Sequence, residues 1–507
     1  MYKFGFSETE DLRKKGISEE QAYEQLGIFE KGAPFADIIE PASIENGVNV
    51  IPEDKISYYI DIFKLARNAG RITKFVPASG AATRMFNDLI KTGNNEVSES
   101  AKTTLEKIRS FPFFMDLENL FLFHNMDLDN VIDNSNWKIL TDYLLYEKGL
   151  NYADKPKALL KFTKYNGFSR TALEEHLYEG ISLTCDKENV VRLHFTFTGK
   201  YIQKAREIIN DMRENAPGKI FSVDFSVQKP STDTLAVYTD NTPVKNEKNE
   251  LLFRPGGHGA LIENLNDLNG DIVIIKNIDN IVHEDHRIIS DDYNKLLCGY
   301  LIEIEEKVRS FLNNSQNCGQ DLIEEIKFMS RKQLFIDLDE YLEGMSEIEK
   351  REYLYSYFNR PIRVCGMIKN TGEPGGGPFF VRNKKGVSLQ IVESSQVDLD
   401  DPEKKAVFMN STHFNPVNIV CSLKDHFHDN FDLNSYVDKD SYFISRKTYN
   451  GRNIKALELP GLWNGAMSDW ITAFVEIPEE TFCPAKTVND LLKPQRFCKV
   501  EIQAEIQ

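Results

Sequence analysis

The residues best suited to chemistry lie in the segment 254–280, RPGGHGALIENLNDLNGDIVIIKNIDN. Gly256 and Gly257 form a turn ahead of a helical pattern, and glycine lets backbone N–H groups come close to an anionic or planar ligand. His258 follows them and could hydrogen-bond a base or a sugar. The alternative interpretation is an ordinary connection in which His258 packs inside its own turn.

A short apolar run in the same segment ends in polar residues. Residues 272–275 are Ile-Val-Ile-Ile, which predicts a buried strand, and Asn277 and Asp279 follow its carboxyl end. In open α/β sheets, ligands bind at that end of the strands. Asp279 could hold Mg²⁺, which favours one or two carboxylates together with phosphate oxygens. The alternative is a plain αβ unit that ends in a polar turn.

A second candidate for phosphate binding is the loop in VPASGAATRM, which follows a predicted strand at residues 72–76. The loop consists of small residues that would let backbone amides approach a phosphate: Ser79, Gly80, Ala81, Ala82 and Thr83. Arg84 adds a guanidinium fork that suits an anion. The competing interpretation is a tight βα turn with a surface arginine.

Two lysines stand in similar settings next to proline. Lys157 follows Pro156 ahead of an apolar run, and Lys486 lies in FCPAKTVNDLL. A lysine held on a rigid turn supplies a point charge for a transferred phosphoryl group. Most such pairs are only exposed turns, so neither lysine carries a function alone.

Composition narrows the classes of protein. A chain of 507 residues is too long for one minimal core, and its formal charge of −17 argues against a nucleic-acid partner, which needs clustered Lys and Arg. The seven cysteines form no CxxC, a pattern typical of reduced thiols. No apolar run reaches the roughly 18 residues of a membrane span. We therefore expect a cytoplasmic protein without a membrane or nucleic-acid partner.

The elements that must position these residues follow an α/β rhythm. Helices predicted at 171–179 and 201–214 are each followed by a predicted strand, at 190–198 and 220–228. Residues 92–150 have helical spacing and are interpreted as an insertion. We predict a strand and turn near 482–492. The domain prediction has three parts: an N-terminal helical extension (1–60), a catalytic domain (61–435) and a C-terminal segment that contributes a lysine (436–507).

The order of the motifs carries more information than any one of them. VPASGAATRM, PKALLKF, PGGHGALIENL, KNIDN, QIVESSQ and FCPAKTVNDLL together resemble the serial signature of the UDP-sugar pyrophosphorylases, over roughly residues 72–492. These uridylyltransferases act on glucose 1-phosphate or N-acetylhexosamine 1-phosphate. The chain as a whole is similar to bacterial DUF4301-type proteins. The resemblance implies a Rossmann-like, GT-A type mixed sheet flanked by helices, with additions at both ends.

The resemblance also implies roles for residues of this sequence. Residues 79–84 match the loop around the triphosphate, and Lys157 and Lys486 match lysines near the triphosphate and the sugar phosphate. The other implied roles are the following: base reading for Gln228, contact with base and sugar for Gly256, Gly257, His258 and Asn277, contact with sugar hydroxyls for Glu393, and Mg²⁺ binding for Asp279.

Two departures from the family pattern bear on these roles. The first loop has Ser79 and Ala82 where the family has glycine, and this restricts how closely its backbone can approach a phosphate. The family's lysine follows the arginine closely, whereas Lys157 is far from Arg84 in the sequence; Lys91 fits the spacing but lacks the proline. We prefer Lys157, because the residues after it also match.

The resulting hypothesis is a Mg²⁺-dependent nucleotidyltransferase that forms an NDP-sugar and pyrophosphate from an NTP, with UTP favoured, and a sugar 1-phosphate. The alternative is a sugar-nucleotide-binding or sensor protein that has lost catalysis, which the altered first loop favours. A Rossmann-type dehydrogenase is disfavoured, since no GxGxxG follows an early strand with an acidic residue about 20 positions on.

Overall fold

The computed structural model describes residues 2–92, 98–315, 319–372, 375–383 and 386–499. The chain forms two compact units, each assembled from several segments. The first unit comprises Met1–Phe63, Gln228–Ile274 and Leu296–Ile477, and the second comprises Lys64–Val227, Ile275–Lys295 and Pro478–Gln507. The domain boundaries at residues 60 and 435 stay predictions.

The α-helices are the following: α1 (Phe6–Lys15), α2 (Glu19–Lys31), α3 (Glu53–Asn68), α4 (Asn87–Thr92), α5 (Glu99–Glu106), α6 (Phe114–Phe123), α7 (Leu128–Asp133), α8 (Trp137–Leu145), α9 (Ala172–Thr184), α10 (Ile202–Asn215), α11 (Ile262–Asp267), α12 (Arg287–Asn314), α13 (Gln320–Met329), α14 (Asp339–Leu342), α15 (Glu347–Phe358) and α16 (Pro402–Met409). A π-helix follows α13 at Ser330–Leu334.

Short 3-10 helices occur at Ala82–Phe86, Ile108–Ser110, Lys157–Leu159, Gly199–Tyr201, Pro230–Thr232, His258–Leu261, Glu284–His286, Ser394–Gln396, Leu433–Tyr436, Gly465–Met467, Glu479–Thr481, Val488–Leu492 and Pro494–Arg496. Several of them hold predicted site residues.

The strands are the following: β1 (Asp37–Pro41), β2 (Ser43–Ile44), β3 (Gly47–Asn49), β4 (Ile72–Pro77), β5 (Lys161–Tyr165), β6 (Phe168–Thr171), β7 (Val190–Thr196), β8 (Ile220–Ser226), β9 (Thr234–Tyr238), β10 (Phe253–Arg254), β11 (Ile272–Lys276), β12 (Ile362–Lys369), β13 (Gly377–Asn383), β14 (Gly386–Val392), β15 (His413–Phe414), β16 (Asn418–Ser422), β17 (Phe443–Tyr449), β18 (Arg452–Glu458) and β19 (Ile471–Glu476).

The first unit contains a mixed sheet with strand order β2-β3-β19-β12-β16. β12 runs parallel to β19 and antiparallel to β16. An antiparallel sheet of order β10-β9-β18-β17 lies in the same unit. Because β10 and β18 are both antiparallel to β9, they run in the same direction and end at the same edge of that sheet.

The second unit contains the parallel strands β4-β7-β8 and the hairpin β5-β6. Helix α9 packs on β4 and β7. It begins at a capping box, in which Thr171 and Glu174 satisfy each other's backbone N–H groups. Helices α5 to α8 occupy the predicted insertion and bury aromatic residues such as Phe113 and Phe121 in this unit's core.

The mixed α/β class predicted from the sequence is confirmed, with sheets flanked by helices. The predicted strand near 482–492 is wrong: the structure has the 3-10 helix Val488–Leu492 there, and the preceding backbone bonds to side chains rather than to a neighbouring strand. No helix among the described residues is long and apolar enough to cross a membrane.

Candidate active site

Asp279 lies just beyond the carboxyl end of β11, in the second unit, and is the most heavily engaged of the predicted site residues. Its Oδ2 atom accepts a hydrogen bond from Lys157 Nζ at 2.8 Å and lies 3.6 Å from Lys486 Nζ. Lys157 opens the 3-10 helix Lys157–Leu159 after Pro156. Three motifs far apart in sequence therefore meet at one carboxylate.

The charges around Asp279 keep it ionised. Burial by itself would raise its pKa, but the ammonium groups of Lys157 and Lys486 outweigh burial and hold the pKa of this carboxyl below its ordinary value. One carboxylate faces two cations here, so the cluster keeps a net positive charge. Such a cluster suits an anionic ligand such as a polyphosphate.

Residues 478–499, here called the strap, carry Lys486 and are tied to the turn around Asp279 by side chains. Asn280 accepts from Cys483 N at 2.9 Å, and Lys157 Nζ donates to the carbonyl of Ala485 at 2.7 Å. Asn280 and these ties were not identified from the sequence, since the pattern KNIDN does not indicate which segment its amide will bind.

The first loop lies close to Lys157. Lys157 N donates to Gly80 O, and Ala82 N donates to Lys155 O, so the two segments form a short bridge. Ala82 is buried with its amide used in this way, whereas Arg84 is exposed in the 3-10 helix Ala82–Phe86.

The other residues of this loop differ in exposure. Ser79 is half-buried, and its carbonyl accepts from the Thr198 hydroxyl. Gly80, Ala81 and Thr83 are exposed, and the Thr83 hydroxyl donates to Ala153 O. Lys91, the alternative to Lys157, is exposed on α4. Of the two lysines, it is Lys157 that contacts both the loop and Asp279.

In the first unit, the glycine turn follows β10. Gly257 has φ +78°, and a Cβ atom there would lie 3.0 Å from Glu458 Oε2. A Cβ atom at Gly256 would lie 2.5 Å from Thr232 O. Gly256 therefore requires glycine for close packing against backbone, and Gly257 requires it for its positive φ.

His258 sits against the loop that follows β18. Its Nδ1 atom accepts from Leu462 N at 3.1 Å, and its ring stacks on Trp463 with centroids 4.2 Å apart. Burial lowers the pKa of His258, so the ring is neutral at pH 7 and carries its proton on Nε2. Nε2 lies 3.9 Å from Glu393 Oε1, a gap that a ligand hydroxyl could bridge.

The loop Pro460–Gly465 was not assigned a role from the sequence, yet it shapes this part of the first unit. A Cβ atom at Gly461 would lie 2.6 Å from His258 Cε1, so only glycine allows the approach. The fully buried Arg363 donates to the carbonyl of Trp463 at 2.6 Å and fixes the loop from beneath. The glycines flanking Trp463 in PGLWNG were the available signal.

Two further predicted residues lie in the first unit. Glu393 N donates a hydrogen bond to Gln396 Oε1 at 3.0 Å, which anchors the backbone after β14. Gln228 donates to the Thr232 hydroxyl at 3.4 Å. Asn277, in the second unit, is half-buried, and its carbonyl accepts from Asn280 N.

The predicted residues are divided between the two units. The second unit holds Ser79, Gly80, Ala81, Ala82, Thr83, Arg84, Lys157, Asn277, Asp279 and Lys486, and the first unit holds Gln228, Gly256, Gly257, His258 and Glu393. Across the described parts of the chain, no group of three or more His, Cys, Asp or Glu residues could hold a metal ion.

Comparisons with known proteins concern both the family and the fold. No curated protein matches the chain in sequence. Among solved structures, the uridine diphosphate N-acetylglucosamine pyrophosphorylase of Trypanosoma brucei is 12% identical, with 96% of this chain and 79% of that chain covered and a TM-score of 0.48.

The UDP-glucose pyrophosphorylase of Leishmania major is 11% identical, with 96% and 77% covered and a TM-score of 0.43. These values are too low to decide activity or substrate. The family model described as a domain of unknown function, DUF4301, matches residues 6–496, and the chain belongs to this family.

Proposed function

We propose that this protein is a sugar-1-phosphate nucleotidyltransferase that uses a nucleoside triphosphate, with UTP favoured. A phosphate oxygen of the sugar 1-phosphate attacks the α-phosphorus of the triphosphate in line. The bond from the α-phosphorus to the bridging oxygen breaks, and pyrophosphate leaves with that electron pair. The product is an NDP-sugar.

The observation that carries the proposal is the carboxylate of Asp279 between the ammonium groups of Lys157 and Lys486. Phosphoryl transfer asks little covalent chemistry of a protein, and positioning with charge neutralisation supplies most of the catalysis. Lys157 would neutralise the triphosphate, Lys486 would orient the attacking phosphate, and the exposed Arg84 would bind a terminal phosphate.

The donor set around Asp279 fits Mg²⁺ in kind. Mg²⁺ is commonly held by one or two carboxylates together with substrate phosphates, and Asp279 is an ionised carboxylate beside the ammonium groups of two lysines. Asp279 would be the protein ligand. When bound, Mg²⁺ would supply charge neutralisation and orientation at the phosphates.

The predicted site residues of the first unit have the chemistry to bind the base and the sugar. Neutral His258 presents an N–H toward Glu393, which presents a carboxylate oxygen, and a hydroxyl can accept from the first and donate to the second. Gly256 and Gly257 would present their backbone to a planar base, because neither carries a side chain. Gln228 would read the edge of that base.

A screen of nucleoside triphosphates against sugar 1-phosphates, with pyrophosphate detection, tests the proposal. We expect at least one pair to be turned over, and Asp279→Ala to lower kcat for that pair on the order of 10²–10³-fold. Wild-type turnover by purified Asp279→Ala would refute the role of Asp279. No turnover of any pair by the wild type would refute the activity.

One observation favours a second candidate, a sugar-nucleotide-binding protein without catalysis. The Ala82 amide is used by Lys155 O, so the first loop offers one fewer donor to a phosphate. Calorimetry with UDP-sugars separates the two candidates. Tight binding without pyrophosphate release from any pair would support the binding protein, and turnover would exclude it.

A further inference from the structure

Arg496, near the end of the strap, is a buried cation that bonds to carbonyls rather than to carboxylates. Its side chain is fully buried, and within the described chain its guanidinium donates two hydrogen bonds, both to backbone oxygens. Its Nε and Nη1 atoms are buried without a hydrogen-bond partner, and its guanidinium lies over the Phe162 ring, 5.1 Å from the centroid. Such burial is unfavourable for stability, so another property must account for an arginine here.

The arginine is accounted for by two backbone carbonyls that its Nη2 atom contacts. Arg496 Nη2 donates to Cys483 O at 2.6 Å and to Asp279 O at 3.3 Å. The first carbonyl belongs to the strap, three residues before Lys486, and the second belongs to Asp279 itself. One guanidinium therefore joins the backbone that carries the carboxylate to the backbone that carries the lysine.

The other ties between these segments hold other positions; His283 N, for example, donates to Gln495 O, beyond Asp279 in the turn. Asn280 binds the strap at Thr481 and Cys483, ahead of the lysine, and Lys157 binds it at Ala485 with the same Nζ that contacts Asp279. A phosphate that draws Lys157 toward itself would loosen the tie to Ala485. Arg496, held away from solvent, would be unaffected by such a ligand.

We propose that Arg496 is a positioning residue that clamps Asp279 to the strap and sets the distance from the Asp279 carboxylate to the Lys486 ammonium. The effect on catalysis rests on the proposed function, whereas the clamp itself does not. Lysine cannot replace Arg496, because a single ammonium on a flexible stem lacks the planar guanidinium that stacks on Phe162 while it bonds to two carbonyls.

Amide hydrogen exchange of the full chain tests the clamp without any activity. Arg496→Met and Arg496→Lys should speed exchange in peptides covering 481–486 by about tenfold, the change expected from losing a hydrogen bond to a charged donor. Arg363→Met is the matched control, since Arg363 is also fully buried and bonds to neutral oxygens, but in the first unit. It should leave exchange at 481–486 unchanged.

Steady-state kinetics then test the consequence. Both Arg496 variants should raise the KM for the sugar 1-phosphate and the Mg²⁺ concentration for half-maximal rate, by about 10–100-fold, with a smaller loss of kcat. Wild-type exchange at 481–486 in the Arg496→Met protein would overturn the clamp. Full restoration of exchange and KM by Arg496→Lys would overturn it as well, because charge alone would then suffice.

If Arg496→Met does not fold, Arg496→Lys decides by the same exchange measurement, and wild-type exchange again overturns the clamp. If the wild type turns over no pair of substrates, the proposed function fails. The exchange measurement still decides whether Arg496 joins the two segments.

Discussion

Two carboxylates of the second unit each lie between two lysines, and they differ in their access to water. Glu179 accepts from Lys74 at one oxygen and from Lys276 at the other, and all three side chains are at most 3% exposed. Asp279 lies between Lys157 and Lys486, whose side chains are 16% and 57% exposed. The first cluster is sealed, and the second is open on the side of Lys486.

This difference separates a structural role from a functional one. In the sealed cluster, both carboxylate oxygens are used, and no anion from solution can reach Lys74 or Lys276. In the open cluster, Lys486 lies at 3.6 Å, beyond hydrogen-bond distance from Asp279, and most of its side chain faces solvent. The same residue types can therefore serve packing in one place and a ligand in the other.

The pKa shifts follow the same division. Burial lowers the pKa of Lys74 to about 8, although the Glu179 carboxylate opposes that shift. Burial would raise the pKa of Glu179, but Lys276 and Lys74 outweigh it and hold that pKa far below its ordinary value. Glu179 and Lys74 thus depend on each other for their charge states.

The largest expected effect comes from breaking the sealed cluster. Glu179→Gln removes the carboxylate that both buried lysines contact, and the free energy of unfolding should fall by about 3–5 kcal/mol. Urea unfolding measures it. Asp279→Asn is the matched control and should lose much less, because Lys486 is already solvated. An equal loss in both variants would contradict the distinction between the clusters.

The next effect concerns the reaction rate and compares both lysines of the open cluster with one lysine of the sealed cluster. Lys157→Met and Lys486→Met should each lower kcat/KM for the best substrate pair on the order of 10²–10³-fold, since each removes a charge aimed at phosphate. Lys74→Met should lower the free energy of unfolding while the folded protein keeps its kcat. Steady-state kinetics at a temperature where all variants are folded measure both.

Among these variants, Lys486→Met should leave the free energy of unfolding almost unchanged, because its side chain is exposed and lies beyond hydrogen-bond distance from Asp279. A large loss of stability in Lys486→Met would contradict a functional role for the open cluster. A loss of kcat in folded Lys74→Met comparable to that of Lys157→Met would contradict a purely structural role for the sealed cluster.

The open cluster was predictable from the sequence to a greater extent than the sealed one. Asp279 follows a four-residue apolar run, and that local pattern places it at the end of a strand. Lys74 and Lys276 lie inside or at the end of such runs, ITKFV and IVIIK, where alternation predicts burial but does not indicate an anion. Glu179 lies on α9, about a hundred residues from either lysine, so only the packing of α9 on the sheet brings them together.

The same limit applies to residues that act through backbone contacts. Arg496 and Trp463 were not identified from the sequence. No characteristic spacing of residues marks an arginine that bonds to backbone carbonyls or an indole that stacks on a histidine. The glycines at 256, 257 and 461 were more informative. Gly256 and Gly461 allow close approaches to Thr232 and His258 that a Cβ atom would prevent, and Gly257 has a positive φ.

His176 connects the two clusters and yields the smallest of the expected effects. Its Nε2 atom donates to the carbonyl of Ile278, next to Asp279, and its Nδ1 atom lies 3.6 Å from Glu179 Oε2. Burial lowers the pKa of His176 well below its ordinary value, and the nearby Lys74 ammonium lowers it further. The ring therefore stays neutral in the folded protein at pH values where the unfolded chain binds a proton.

The sign of the pH dependence follows from that shift. Below about pH 6.5, the ordinary pKa of histidine, the unfolded chain takes up a proton at His176 that the folded chain does not, so stability falls as pH falls. His176→Asn removes this contribution but keeps an amide donor for Ile278 O. The stability advantage of the wild type over His176→Asn, measured by urea unfolding, should therefore be larger at pH 8 than at pH 5. An advantage that is constant with pH would contradict this prediction. It would mean that His176 binds a proton as readily in the folded protein as in the unfolded chain, so that at pH 5 the sealed cluster would contain a third cation.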